Sequence, residues 1–152
     1  INLTAKSENI FIIGKIERID EFDGMTRIID YKSSTKQSDK FGFTGFESLF
    51  NDTNYNKQFQ LFLYAWLLYK NKFCTPEKLY PGIIAFKKFS GETINIVGDK
   101  QSTFTFTENI LEEFESALSD FISEIFSKEK DFEQTHDLDV CEFCAYKGIC
   151  NR

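Results

Sequence analysis

Three side chains in the first third of the chain have the types and spacing to do chemistry together. In Ile28-Ile29-Asp30-Tyr31-Lys32 an extended backbone sends alternate residues to opposite faces, so Asp30 and Lys32 share a side, roughly 6.6 Å apart along the strand. A second carboxylate, Glu17, lies in Gly14-Lys15-Ile16-Glu17-Arg18-Ile19-Asp20. The Asp23-Gly24 pair between the two segments is a strong signal for a tight hairpin, which would return Asp30 beside Glu17. Glu17, Asp30 and the backbone carbonyl of Tyr31 would offer oxygens to Mg²⁺ or Mn²⁺, leaving positions for water and a phosphate. Such an ion polarises a phosphoryl oxygen and activates a water. Lys32 would orient that nucleophile and offset the charge that develops. The pattern is that of phosphodiester hydrolysis. On spacing alone a plainer alternative stands ahead of it: Glu17 and Asp30 as solvent-facing charges on an amphipathic hairpin, paired with Arg18, Arg27 or Lys32.

The elements that must position these residues follow from periodicity. Asn9 to Phe22 reads as a strand with Gly14 marking a bulge or bend, and Thr26 to Ser34 as its antiparallel partner. Residues 35–54 show no sustained period, which predicts a mobile loop able to close over a substrate. Tyr55 to Asn71 is apolar nearly all the way round and predicts a helix buried against more than one element. Pro76 and Pro81-Gly82 punctuate the chain before a second expected hairpin, Ile83 to Phe89 and Thr93 to Val97, turning at Ser90-Gly91, with Thr103 to Phe106 extending the sheet. Ile110, Leu111, Phe114, Leu118, Phe121, Ile122, Ile125 and Phe126 recur at helical spacing. Glu108, Glu112, Glu113 and Glu115 fill the opposite face and favour the positive N-terminal end of that helix. The fold class is α/β, a central mixed sheet with antiparallel hairpins flanked by helices.

A chain of 152 residues, 41% of them apolar, suits one ordinary core, so residues 1–152 are expected to form a single domain with a cysteine-containing tail over 137–152. Eighteen Phe predict a core filled with rings. The longest apolar run, Leu61 to Tyr69, is far short of the roughly 20 residues of a bilayer-spanning helix, and no membrane association is expected. The chain opens on Ile1 and directly on a strand, which suggests an excised piece of a larger protein. The net charge of −6 argues against nucleic acid until its distribution is considered. Half of the 24 acidic residues lie between Glu108 and Glu142, whereas residues 1–107 carry 14 basic residues against 12 acidic. Cys74, Cys141, Cys144 and Cys150, with no secretory leader, point to a reducing compartment, expected to be cytoplasmic, and to metal or cluster chemistry over disulfides.

These segments resemble the PD-(D/E)XK nucleases, specifically the nuclease domain of RecB/AddB-type helicase–nucleases and of CRISPR-associated iron–sulfur nucleases. Gly14-Lys15-Ile16-Glu17-Arg18-Ile19-Asp20 is similar to that family's Gly-x-Ile-Asp-Arg-Ile-Asp, Ile28 to Ser33 to its Ile-Ile-Asp-Tyr-Lys-Thr, and Gln60-Leu61-Phe62-Leu63-Tyr64 to its Gln-x-x-x-Tyr helix. The resemblance covers residues 10–70 and the C-terminal cysteines. It implies a restriction-endonuclease-like core, metal ligation by Glu17 and Asp30, a catalytic Lys32, and supporting roles for Gln60 and Tyr64, which as i and i+4 share a helix face. The implied substrate is DNA, as a single strand or duplex end, cut as an exonuclease sooner than an endonuclease and fed by a helicase domain or subunit in double-strand-break repair. Position 17 departs from the pattern, being Glu where Asp is usual, and the helix, often with a metal-ligating His, that the family carries upstream of this motif is expected to lie outside this sequence; His136 lies too near the C-terminus to match.

The resemblance also implies that Cys141, Cys144 and Cys150, in Cys-x2-Cys-x5-Cys spacing, are three of four ligands to a structural [4Fe–4S] cluster. Thiolates alone suit zinc as well. Cys74 is not where the family pattern puts a fourth ligand and reads as an ordinary cysteine, so the cluster site is expected to be incomplete in this sequence. Two rivals accompany the nuclease reading: a catalytically silent nuclease fold that binds DNA or a partner protein, and a cysteine tail acting as a zinc-type interaction module.

Overall fold

The structure is a computed structural model, which describes residues 2–5, 8–33, 39–88, 93–96, 98, 102–129, 131, 133–136, 138–142 and 144–151. Strands β1 (Asn2–Ala5) and β2 (Glu8–Phe11) form a two-stranded antiparallel sheet. Strands β3 (Arg18–Phe22), β4 (Met25–Lys32), β5 (Leu79–Ala85) and β6 (Ile94–Asn95) form a mixed sheet in the order β3-β4-β5-β6. β3 and β4 are antiparallel, as the Asp-Gly signal predicts. Asp23 and Gly24 have φ of 53° and 74°, and Phe22 pairs directly with Met25. Positive φ at both central residues is what a two-residue turn needs to match the strand twist. β4 and β5 run parallel, so the chain between them must cross back over the sheet.

That crossover contains α1 (Phe46–Asn51) and α2 (Asn56–Lys70); α3 (Glu108–Ile125) follows β6. α2 packs on β4 and β5 and on α3 as well, which is why it is buried on nearly every side. α3 shows only one apolar stripe, Leu111, Phe114, Leu118 and Ile122, and starts where the Thr107 hydroxyl accepts from the Ile110 N–H at 3.3 Å. Between the helices and the sheet the expected aromatic core is present. Phe62 stacks on Phe114 with centroids 5.6 Å apart, and Phe43, Phe46, Phe104 and Phe106 meet Phe62 edge-on or tilted at 5.2–5.6 Å.

Several expectations are corrected. The strand expected over Asn9–Phe22 is two strands separated by irregular backbone at residues 12–17. There the chain leaves the sheet to lie against α2: a Cβ on Gly14 would stand 2.6 Å from Leu67 Cδ1 and 3.4 Å from Tyr64 Cε1, so a larger residue would require the end of the Leu67 side chain to shift. The loop expected over 35–54 holds a helix, because Phe46, Leu49 and Phe50 reach the core from α1. Lys40 and Asp52 pair at 2.8 Å, Lys57 pairs with Asp39, and the Lys40 N–H donates to the Asn54 carbonyl at 2.9 Å, so residues 39–54 are anchored; residues 35–38 of that expected loop, and Ser34 of the expected strand before it, lie outside the described residues. Pro81-Gly82 does not interrupt the chain but lies inside β5. β6 pairs only with Gly82 and Ile83, so Pro81, with no N–H to donate, falls just beyond that ladder. The expected Ser90-Gly91 turn lies outside the described residues. Thr103 to Phe106 is not a strand of this sheet. Two backbone bonds, Phe104 N–H to the Ile96 carbonyl at 3.0 Å and Gly98 N–H to the Ser102 carbonyl at 2.7 Å, fold it back on Ile96 and Gly98.

Truncating a ring at the centre of this core removes packing that nothing replaces. Phe114→Ala is expected to lower the unfolding free energy by about 3–5 kcal/mol, whereas Phe73→Ala, at an exposed site, changes it by less than about 0.5 kcal/mol. Paired urea denaturation curves test the contrast.

Candidate active site

The hairpin register sets the geometry. Arg18 pairs with Ile29 at the end of the ladder, and Glu17, the residue before it, meets β4 through its side chain at Tyr31. β3 ends at Arg18, and beyond it the Tyr31 N–H has no strand carbonyl from that side. The Glu17 carboxylate supplies the acceptor, with Oε2 2.6 Å from the Tyr31 nitrogen. The exposed Glu17 is thereby fixed against the strand that carries Asp30 and Lys32.

Asp30 is not a surface charge. It is 3% exposed, on the face of β4 that also sends Ile28 into the core. A carboxylate at such a position requires partners. Gln60 Nε2 donates to Oδ1 at 3.0 Å, and Lys32 Nζ stands 2.7 Å from Oδ2. The Lys32 contact is an ion pair without the alignment of a hydrogen bond, so Oδ2 is a buried oxygen with no directed donor. Gln60 Nε2 also lies 2.7 Å from the Tyr64 hydroxyl, which donates to the Lys15 carbonyl at 2.9 Å. The i and i+4 positions on α2 thus tie β4 to the irregular segment that carries Glu17. Sequence reasoning identified Gln60 and Tyr64 and missed Lys15, whose part is played by its backbone and leaves no side-chain signal.

On the opposite face of the hairpin Asp20 takes the arginines that the plainer sequence reading assigned to Glu17 and Asp30. Arg27 binds it through two nitrogens at 2.6 and 2.9 Å, and Arg18 Nε donates to it at 2.6 Å while Arg18 Nη1 donates to the Tyr31 hydroxyl at 3.2 Å. The Arg27 hydrogen bonds, with the Arg18 bond and charge behind them, hold the Asp20 carboxyl below its ordinary range against the desolvation that opposes them. Bonds to Tyr31 and to Asp20 raise Arg18. The i, i+2 spacing of Arg18 and Asp20 on an alternating strand was the available signal for this network.

Over residues 2–151 the chain matches the PD-(D/E)XK nuclease superfamily. It belongs to that superfamily. No curated protein and no solved structure matches it. The four-stranded mixed sheet flanked by helices is consistent with the restriction-endonuclease-like core of these nucleases. Members of the superfamily are generally metal-dependent. Glu17 and Asp30 suit a hard divalent cation: they are carboxylates from adjoining hairpin arms, and the undirected Oδ2 of Asp30 is a buried lone-pair site beside a lysine ammonium. Among the described residues no three His, Cys, Asp or Glu side chains form a group able to hold a metal.

Among the described residues the cysteines belong to no group of three His, Cys, Asp or Glu able to hold a metal. Cys141, Cys144 and Cys150 are half-buried along a succession of tight turns. In these turns Cys144 N–H donates to the Cys141 carbonyl at 3.2 Å, while Gln134 Nε2 donates to the Cys150 carbonyl at 3.1 Å. Cys74 packs against the core after α2, and His136 is exposed in the C-terminal segment.

Two outcomes are expected here. Gln60→Ala leaves Asp30 Oδ1 without its donor and should destabilise the fold by about 1–3 kcal/mol in denaturant titrations. Asp20 has a depressed folded-state pKa, so its contribution to stability is present above the ordinary carboxylate pKa and disappears as pH falls through the lower folded value. The difference in urea midpoint between wild type and Asp20→Asn should therefore be largest near neutrality and shrink below about pH 4.

Proposed function

We propose that this domain is a metal-dependent deoxyribonuclease that hydrolyses phosphodiester bonds at Glu17, Asp30 and Lys32. The observation that carries the reading is the buried Asp30 carboxylate, held by Gln60 on one oxygen and faced by Lys32 on the other, within the superfamily's acidic-x-lysine motif. Mg²⁺ or Mn²⁺ on Glu17, Asp30 and the Tyr31 carbonyl would supply Lewis acidity toward a phosphoryl oxygen and an activated water. The protein's own groups have separate tasks. Gln60 and Tyr64 fix the Asp30 carboxylate in orientation. Glu17, bonded to the Tyr31 N–H, keeps the second carboxylate in register with the first. Lys32, 30% exposed at the mouth of the site, brings positive charge to the place where a phosphate accumulates negative charge during attack.

The motif order, Glu17, then Asp30 and Lys32, then Gln60 and Tyr64, supports the finer assignment to a helicase–nuclease of double-strand-break repair, in which a helicase delivers strand to an exonuclease. The Cys-x2-Cys-x5-Cys spacing points the same way. No described helix is long and apolar enough to cross a membrane.

One observation favours a second reading. Both carboxylates already have protein partners, Asp30 in Lys32 and Gln60, and Glu17 in the Tyr31 backbone, as a nuclease fold that binds without cutting would require. Cleavage of linear single-stranded DNA by the full-length protein with Mn²⁺ decides between them. The nuclease reading expects Lys32→Ala and Asp30→Asn each to reduce the rate by about 100-fold or more, chelation to abolish it, and a circular strand to resist. Equal rates for Lys32→Ala and wild type would sink the site assignment, and absence of divalent-ion binding by calorimetry would favour the silent fold.

A further inference from the structure

The parallel β4–β5 pair ends in two aromatic rings that do not enter the core. Tyr31, between Asp30 and Lys32, and Phe86, the first residue after β5, stack with centroids 5.7 Å apart and planes 12° from parallel. Phe86 is 60% exposed. Its position is fixed all the same, because the Lys87 N–H donates to the Ser33 carbonyl at 3.0 Å and carries the β4–β5 ladder beyond the strand ends. Arg18 steadies the other ring through the Tyr31 hydroxyl while remaining bonded to Asp20, and Lys87 is exposed next to Phe86. An isolated exposed phenylalanine needs no explanation, but a rigid pair of nearly parallel rings flanked by cations, one residue from a buried carboxylate and on the opposite face of its strand, is a surface of particular chemistry.

We propose that Tyr31 and Phe86 form a stacking platform for the bases of single-stranded DNA, with Lys87 toward its phosphates, leading the strand round the end of β4 to Asp30 and Lys32. The proposal rests on the nuclease reading. The bases of a duplex are stacked on one another and offer no face to a protein ring, so the platform selects unpaired strand. Stacking is indifferent to sequence because every base has a π-face, and cations beside the rings complement the backbone charge.

Binding without cleavage tests the platform. With divalent ions chelated, an oligothymidylate of about 12 nucleotides is titrated onto the wild-type chain, Phe86→Ala and Phe86→Trp, beside an abasic oligomer of equal length. The platform expects about tenfold weaker binding of oligothymidylate by Phe86→Ala, recovery in Phe86→Trp with quenching of its exposed indole, and equal binding of the abasic strand by all three. Coincident thermal unfolding of the variants confirms that the exposed substitution leaves the fold intact. Oligothymidylate binding by Phe86→Ala equal to wild type, or an equal loss on the abasic strand, overturns it. The two readings fail separately: ring-dependent binding by a protein that cuts nothing with Mn²⁺ leaves the platform and removes the nuclease, whereas metal-dependent cutting with Phe86-independent binding does the reverse.

Discussion

Burial of the Asp30 carboxylate constrains more of this structure than any other single contact. A charge 3% exposed near the end of β4, next to Ile28 and Ile29, is tolerable only where donors are brought to it. Those donors come from two places of different kinds. Lys32 comes from the same strand, two residues on and on the same face, so strand alternation alone provides it. Gln60 comes from α2, 30 positions away, and can reach Asp30 only if the helix lies flat on the sheet. The chain then continues through Tyr64 to the backbone of Lys15, fixing the segment that carries Glu17. The site and the packing of α2 are therefore one problem, and the polar residues that interrupt the apolar surface of α2 stand where the carboxylate needs them.

The two faces of the sheet divide the labour. One is covered by α2 and holds Ile28, Asp30 and the aromatic core. The other carries Arg18, Asp20 and Arg27, whose network keeps the hairpin in register without core burial. Its cations lie beside the Tyr31–Phe86 stack. The charge separation along the chain belongs to the same picture: the acidic surplus begins at α3, whereas the strands that build the site are drawn from a segment with slightly more basic than acidic residues. A mean charge of either sign would have concealed this.

By itself the sequence determined the features that depend on neighbours within a few residues. Asp23-Gly24 determined the turn, alternation determined that Asp30 and Lys32 share a face, periodicity determined α2 and α3, and i, i+4 spacing determined that Gln60 and Tyr64 point together. Only the tertiary structure decided where the chain departs from its local pattern. Residues 12–17 leave the sheet because Gly14 and the Lys15 carbonyl dock on Tyr64, 49 positions from Lys15. α1 forms where no period announced it, because its rings find partners on α2 and α3. Pro81-Gly82 enters a strand because β6 is too short to need the missing N–H. Burial separates Asp30, held by Gln60 of α2, from Asp20, held by arginines on the other face, although both are aspartates on adjoining strands of one hairpin. Local spacing records which side chains can meet; which of them lose water is settled by contacts between segments that the sequence keeps far apart.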